Sequence, residues 1–173
     1  MLSCFGLSAK ILAVVPAPDG GYPGNNTAEG TNALFSFTSG IDNTALGFEA
    51  LFRNATGDFN TAEGFGALFN NTSGTQNTAT GVNALISNTT GSFNTANGVN
   101  TLFRNTTGFQ NAATGVQALF SNTTGFHNTA AGFQALLSNT TGNHNTAEVI
   151  THLFTTQQVS STRRSVPMHS IRT

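Results

Sequence analysis

Asn43-Thr44-Ala45-Leu46-Gly47-Phe48-Glu49-Ala50-Leu51-Phe52-Arg53-Asn54-Ala55-Thr56-Gly57-Asp58-Phe59 runs straight into Asn60-Thr61-Ala62-Glu63-Gly64-Phe65. The triplet Asn-Thr-Ala, or a near copy, starts at Asn26, Asn43, Asn60, Asn77, Asn94, Asn111, Asn128 and Asn145, so each start lies 17 residues after the last. A fixed short period without insertions means stacked copies of one unit that cannot bury its own apolar face alone. Numbered from its first Asn, the unit reads N-T-A-x-G-Φ-x-A-L-Φ-x-N-T-T-G-x-x, where Φ is apolar.

Position 6 holds Phe48, Phe65, Val82, Val99, Val116 and Phe133, and position 8 is Ala except at Thr101. Position 9 is always Leu: Leu34, Leu51, Leu68, Leu85, Leu102, Leu119 and Leu136. Position 10 holds Phe35, Phe52, Phe69, Ile86, Phe103, Phe120 and Leu137. Glycines at position 5 (Gly47, Gly64, Gly81, Gly98, Gly115, Gly132) and at position 15 (Gly40 to Gly142) read as corners, because glycine takes positive φ without steric cost. An extended unit would have a contour of about 56 Å, which suits one flattened coil, and eight coils at ~4.8 Å would make a rod about 38 Å long.

This predicts an all-β parallel solenoid in which like residues stack in columns. Leu51, Leu68, Leu85, Leu102, Leu119 and Leu136, with Phe52, Phe69, Phe103 and Phe120, are the expected core ladder. Asn and Thr columns should hydrogen-bond along the axis, as amide ladders do between stacked strands. Two local readings of positions 6–10 stand open. As a strand, positions 6, 8 and 10 face one way and Leu at 9 the other, so both faces are apolar. One face then fills the coil, and a second copy of the chain is the simplest cover for the other. As a helical turn, positions 6, 9 and 10 fit i, i+3, i+4 spacing, and the solenoid alternates strand and turn.

Charge is scarce: six Lys and Arg against seven Asp and Glu, net −1. That leaves no electrostatic footprint for nucleic acid or an anionic membrane. Cys4 is the sole cysteine, so no intrachain disulfide forms. Residues 1–24 differ from the repeats. Leu7 to Val15 is a short apolar stretch, and Pro16-Ala17-Pro18-Asp19-Gly20-Gly21 follows as a linker. The segment reads either as a disordered leader or as the remnant of a secretion signal ending near Ala13. No stretch reaches the roughly 18 apolar residues of a membrane span.

After Glu148 the pattern stops and Arg163, Arg164, Met168, His169 and Arg172 appear. A lost base accounts for the change. With one G restored after the Glu148 codon, each new codon joins the last base of one present codon to the first two of the next. Glycine then falls at position 5, and the code permits A-L-I-x-N-T-T-G over Thr151 to Val159. Asn, Thr, Ala and Gly recur in register over Ser161 to Val166. Position 6 fails in both units. The repeat solenoid is thus expected over residues 25–148, with an irregular, frameshifted tail over 149–173.

Chemistry-bearing residues are few and scattered. His127 and His144 share position 17 in adjacent units, but the preceding residue in that column is Gln110, so a zinc-like site lacks a third ligand. Asp42 and Asp58 are sporadic, unlike the regular carboxylates of calcium-binding rolls. Glu29 and Glu63 share position 4 with Leu46 between them, too far apart for acid–base work. Ser, His and Asp occur without a nucleophile elbow. Sequons such as Asn88-Thr89-Thr90 and Asn122-Thr123-Thr124 are explained by corner Asn and Thr columns without any glycan. These residues predict no catalytic, cofactor or metal site and no enzyme.

The motifs Asn43-Thr44-Ala45-Leu46-Gly47 and Asn94-Thr95-Ala96-Asn97-Gly98 resemble the repeat of YadA-type heads in trimeric autotransporter adhesins. The whole unit is similar to repeats of bacterial and phage fibre proteins, which often end in a self-cleaving chaperone domain. Pro18-Asp19-Gly20-Gly21-Tyr22-Pro23-Gly24 fits the start of such proteins, and the resemblance covers residues 18–148. The unit is longer than the usual adhesin-head repeat, and its motif is shifted by a residue. The resemblance implies a left-handed parallel β-roll and a homotrimer, secreted or at the cell surface. Its role would be that of a structural or adhesive fibre segment, with a host or matrix surface as ligand. The alternatives from the residues alone are monomeric: a solenoid whose Thr columns order ice, or one with helical turns that binds peptides.

Overall fold

The computed structural model of the chain describes residues 22–149; of the leader (residues 1–24) only residues 22–24, and of the tail expected over 149–173 only Val149, lie inside it. Over that span the chain is an all-β parallel solenoid without helix. Its strands are three residues each: β1 (Thr27–Glu29), β2 (Thr44–Leu46), β3 (Thr61–Glu63), β4 (Thr78–Thr80), β5 (Thr95–Asn97), β6 (Ala112–Thr114), β7 (Thr129–Ala131) and β8 (Thr146–Glu148). They form one sheet in sequence order, each strand parallel to the next. The register is the repeat itself: Thr61 pairs with Thr78, Ala62 with Ala79 and Glu63 with Thr80. Alternation along Thr-Ala-x turns every Ala inward, and Ala45, Ala62, Ala79 and Ala96 have no exposed surface.

The strands therefore sit at positions 2–4. Neither local reading of positions 6–10 holds, because that stretch is a tandem pair of tight turns. In the second coil, Ala50 N–H donates to Gly47 O at 3.4 Å and Asn54 N–H to Leu51 O at 3.1 Å. Residue 7 takes positive φ (Glu49 55°, Asn83 56°), as the third residue of a type II turn must. Leu at position 9 is also left-handed, between 50° and 52° at every copy. Two left-handed residues in five cancel the period of two. Ala at 8 and Leu at 9 both point into the coil, while positions 6 and 10 point out.

Inter-turn hydrogen bonds continue well beyond the short strands. Leu68 N–H reaches Ala84 O at 3.0 Å, Gly64 N–H reaches Leu46 O at 2.8 Å, and Gln76 N–H reaches Asp58 O at 2.9 Å. Each coil is thus tied to both neighbours around its perimeter, which satisfies the backbone that the turns would otherwise strand.

The interior is narrow: Ala at 3 and 8, Leu at 9, and two columns of asparagine. Asn60, Asn77, Asn94 and Asn111 at position 1 and Asn71, Asn88, Asn105 and Asn122 at position 12 are all buried. Buried amides cost free energy unless every donor and acceptor is matched. Asn94 shows the match. Its Nδ2 donates to Asn77 Oδ1 (3.1 Å) and to Gly108 O (2.8 Å). Its Oδ1 accepts the backbone N–H of Asn111 (3.1 Å) and Asn111 Nδ2 (3.0 Å). At position 12, Asn88 Nδ2 donates to Asn71 Oδ1 (2.8 Å) and to Gly91 O (2.9 Å). Gly91 O also accepts Asn77 Nδ2, so the position-15 carbonyls join the two ladders. Thr101, the exception at position 8, is buried with its hydroxyl donating to Gly115 O at 2.6 Å. Among the described residues no buried side-chain polar atom lacks a partner.

The two glycine positions do different work. Gly at 5 is left-handed, with φ of 106–133°, as expected of a corner. Gly at 15 is not. It is required by close approach, since a Cβ on Gly91 would come within 3.0 Å of Gly108 O and of Asn88 Oδ1.

The first coil departs from the pattern at its open face. Asn26 Nδ2 donates to Pro23 O at 2.5 Å, the bond that in later coils goes to the preceding Asn. Phe37 replaces the amide at position 12 and packs against the core. Tyr22 packs there too, and its hydroxyl pKa is raised by burial and by the nearby Glu29 carboxylate. At the other end Val149 occupies position 5, where each earlier coil has a left-handed glycine. A β-branched residue is a steric outlier in that conformation, so Val149 does not repeat the glycine corner.

Left-handed backbone explains why position 9 is Leu and never Val or Ile. None of the left-handed positions 7, 9 and 17 holds a β-branched residue anywhere in the described coils, although Thr abounds elsewhere. Placing a non-glycine residue there costs about 1–2 kcal/mol, and burying a leucine returns about 1.5–3 kcal/mol. Leu85→Ile should therefore destabilise by about 1–2 kcal/mol more than Leu85→Met, which keeps an unbranched Cβ. Ile86→Leu, one residue on and right-handed, should cost little. Urea midpoints of the three variants check this. Equal losses for Leu85→Ile and Leu85→Met would remove the explanation.

Candidate functional site

The outer surface is built from columns, and one face of it combines three. Position 6 presents Phe48, Phe65, Val82, Val99, Val116 and Phe133, each 40–52% exposed. Position 7 presents amides, which pair along the axis: Asn83 Nδ2 donates to Asn100 Oδ1 at 3.3 Å and Gln134 Nε2 to Gln117 Oε1 at 2.8 Å. Position 10 presents Phe and aliphatic side chains. Column 10 lies beside column 7, since a Cβ on Gly66 would sit 3.7 Å from Ile86 Cδ1.

The aromatic residues stack face to face at the coil spacing. Ring centroids are 5.1 Å apart for Phe35–Phe52, 4.9 Å for Phe52–Phe69, 5.0 Å for Phe103–Phe120 and 5.1 Å for Phe48–Phe65. Phe52, Phe69, Phe103 and Phe120, expected in the core ladder, are half-buried on this outer face instead. The leucines Leu51, Leu68, Leu85, Leu102 and Leu119 are fully buried inside, and Leu136 is half-buried at the last complete coil. Arg53 and Arg104 border the face at position 11 and lie over the rings of Phe69 and Phe120, 5.7 and 5.5 Å from the centroids. Apart from Glu49 in column 7, the face itself is uncharged.

The other columns are less able to bind. Thr at position 2 forms an exposed ladder from Thr27 to Thr146, interrupted by Ala112. Column 4, on the same side of the sheet, carries Glu29, Leu46, Glu63, Thr80, Asn97, Thr114, Ala131 and Glu148, so the Thr ladder is a single file. Glu29 and Glu63 both register against Leu46, one on each side of it.

Asp42 and Asp58 accept hydrogen bonds from neighbouring coils, from Asn25 Nδ2 (3.2 Å) and from Ile41 N–H (2.9 Å). His127 and His144 are adjacent, with Nδ1 and Nε2 3.0 Å apart and ring centroids 4.8 Å apart, and Gln110 caps the pair. The stacked rings of Phe109 and Phe126 lie edge-on against them. Among the described residues no three His, Cys, Asp or Glu side chains come together. No helix there is long and apolar enough to cross a membrane.

Sequence reasoning identified columns 6 and 10 as apolar, with the Phe residues of column 10 expected inside, and column 7 as mostly polar and facing water. It missed that column 7 is left-handed, and the signal was the run of Asn, Glu, Gly and Gln without a β-branched residue. Comparison with protein-family models, with curated proteins and with solved structures finds no match for the chain. What the geometry carries is a repeat protein, a β-solenoid able to serve as a structural module.

Proposed function

We propose that the chain is a non-enzymatic structural fibre segment that associates with copies of itself, as a homotrimer outside the cell. The observation that supports this most is the outer face of columns 6, 7 and 10. Exposed apolar columns of this length mark interaction surfaces. The side chains on it recur once per coil, and another coil of the same rise can meet them in register along the whole length. Glu49 apart, the face offers no charge to select a charged ligand, while paired amides and stacked rings are the elements of dry interfaces between repeated strands. The number three, the extracellular setting and an adhesive role come from the resemblance to YadA-type heads and fibre repeats. The single file of Thr weakens the ice-binding alternative.

Light scattering on the full chain tests the proposal. A mass of three times 17.9 kDa is expected. Phe65→Lys with Val99→Lys, both on the face, should lower the mass to that of one chain while the β circular dichroism stays. A native chain that runs as a monomer at micromolar concentration contradicts the reading. If that monomer also restrains ice growth, the Thr column is its function instead.

A further inference from the structure

The position-12 asparagines carry a second message. Asn54-Ala55-Thr56, Asn71-Thr72-Ser73, Asn88-Thr89-Thr90, Asn105-Thr106-Thr107 and Asn122-Thr123-Thr124 are N-glycosylation sequons at buried asparagines, one per coil in register; Asn139-Thr140-Thr141 repeats the sequon at a half-buried asparagine in the next coil, and Asn70-Asn71-Thr72 adds one beside the column. In the fold the side chains of the first five asparagines have no exposed surface. Both Nδ2 hydrogens of Asn71, Asn88, Asn105 and Asn122 are committed, one to the preceding Asn Oδ1 and one to the position-15 glycine carbonyl. By contrast Asn25, in the sequon Asn25-Asn26-Thr27, is exposed and meets only Asp42.

We infer that this coil and N-glycosylation at the five buried asparagines of position 12 are mutually exclusive, so their sequons are acceptor sites only of the unfolded chain. The chain is therefore one that folds where no N-glycosylating enzyme meets it unfolded. Glycan transfer joins Asn Nδ2 to the anomeric carbon of an oligosaccharide carried on a lipid pyrophosphate. The lipid pyrophosphate leaves, and one Nδ2 proton passes to a base of the transferase. The product keeps a single N–H and bears a sugar where the structure has the closed interior of the coil. It cannot donate to both the preceding rung and the glycine carbonyl, and the sugar cannot pass between coils spaced as two β-strands are. One modified rung blocks stacking on itself, and five modified rungs leave no pair of adjacent coils intact between Asn54 and Asn122.

Position 14 supplies the control. Thr56, Ser73, Thr90, Thr107 and Thr124 complete the five buried sequons and are exposed, so changing all five to Ala removes the acceptor signal of those five asparagines and leaves the asparagine ladder in place. Two experiments test the inference on the full chain. In the first, protein made in the bacterial cytosol and folded is offered to an oligosaccharyl transferase with its lipid-linked donor. Mass spectrometry should find the five buried amides bare and any glycan confined to Asn25, Asn70 or Asn139.

In the second, the chain is directed through a eukaryotic secretory pathway, and the lectin-bound fraction is collected. The molecules of that fraction that mass spectrometry shows to carry a glycan on one of the five buried asparagines should show no cooperative melting, whereas the position-14 Ala variant from the same host should melt as the bacterial protein does. A secreted wild-type chain that folds with the five amides bare meets the same expectation. A glycan on Asn88 or Asn105 of the folded chain, or a lectin-bound chain glycosylated there that melts normally, overturns the inference. So does a position-14 variant that fails to fold in the secretory host yet folds in the bacterial one.

Discussion

Gly91→Ala should split the solenoid at its middle. The added Cβ would lie within 3.0 Å of Gly108 O in the next coil and of Asn88 Oδ1 in its own. Both are buried, hydrogen-bonded atoms, so neither can yield as a flexible surface side chain would. The coil must separate from its neighbour, and it then loses the rungs donated by Asn94 Nδ2 to Asn77 Oδ1 and by Asn105 Nδ2 to Asn88 Oδ1. We expect a loss of about 4 kcal/mol or more, the size reserved for overpacked or broken cores. In a solenoid each coil contacts only its neighbours, so a break at the centre leaves two short stacks. The same change at Gly142, whose Cβ would meet Asn139 but no carbonyl of a later glycine, should cost less. Thermal melts of the two variants against the parent check both size and order. A Gly91→Ala chain that melts within a few degrees of the parent would mean that the coils are not stacked this closely.

The second large effect concerns Asn94. Asn94→Leu conserves bulk but leaves the backbone N–H of Asn111 without its acceptor and Asn111 Nδ2 with one partner instead of two. Asn77 Oδ1 and Gly108 O each lose one of two donors. With about 1–3 kcal/mol for each orphaned buried group, the loss should reach roughly 3–4 kcal/mol. Asn94→Asp separates donor from acceptor. Its carboxylate still accepts from Asn111 but faces Asn77 Oδ1 and Gly108 O with no hydrogen to give. Burial and those oxygens raise the folded-state pKa of the new carboxyl above its unfolded value. The protonated form is therefore the one the fold tolerates. Stability should be highest below the unfolded carboxylate pKa and fall as pH rises through the raised folded pKa. Urea midpoints of Asn94→Asp between pH 3 and 8, set against the parent, read this out. A flat difference across that range would mean that position 1 is wet.

Much of the architecture could be read in the spacing of Asn-Thr-Ala. The period gave the solenoid, and unvarying Leu at position 9 gave the inner column. The strand assignment went to positions 6–10 because that is where apolar residues crowd, and period-two alternation assumes extended backbone throughout. Left-handed residues at 7 and 9 break that assumption, and Leu is an unexpected residue to find there. The clue was an exclusion, since positions 7, 9 and 17 lack Val, Ile and Thr. Asparagine read as a corner residue, yet at positions 1 and 12 it is the polar spine of the interior. A buried amide is legible only when its partners are known, and each partner lies 3, 14 or 17 residues away. The outer face was half legible. Columns 6 and 10 were identified as apolar, but only the turn geometry puts both outside and an amide file between them. Function is least legible, because a surface of repeated Phe, Val and amide side chains carries no reacting group to name a chemistry.

The stacking of coils on shared asparagine rungs is tested most directly by hydrogen exchange of side-chain amides, resolved by NMR for Asn60, Asn77, Asn94 and Asn111. These Nδ2 protons are buried and doubly hydrogen-bonded, so they should exchange orders of magnitude more slowly than a free asparagine amide and show contacts from each rung to the next. Exchange of all four at the rate of a free amide, with no contact between successive rungs, would contradict the account.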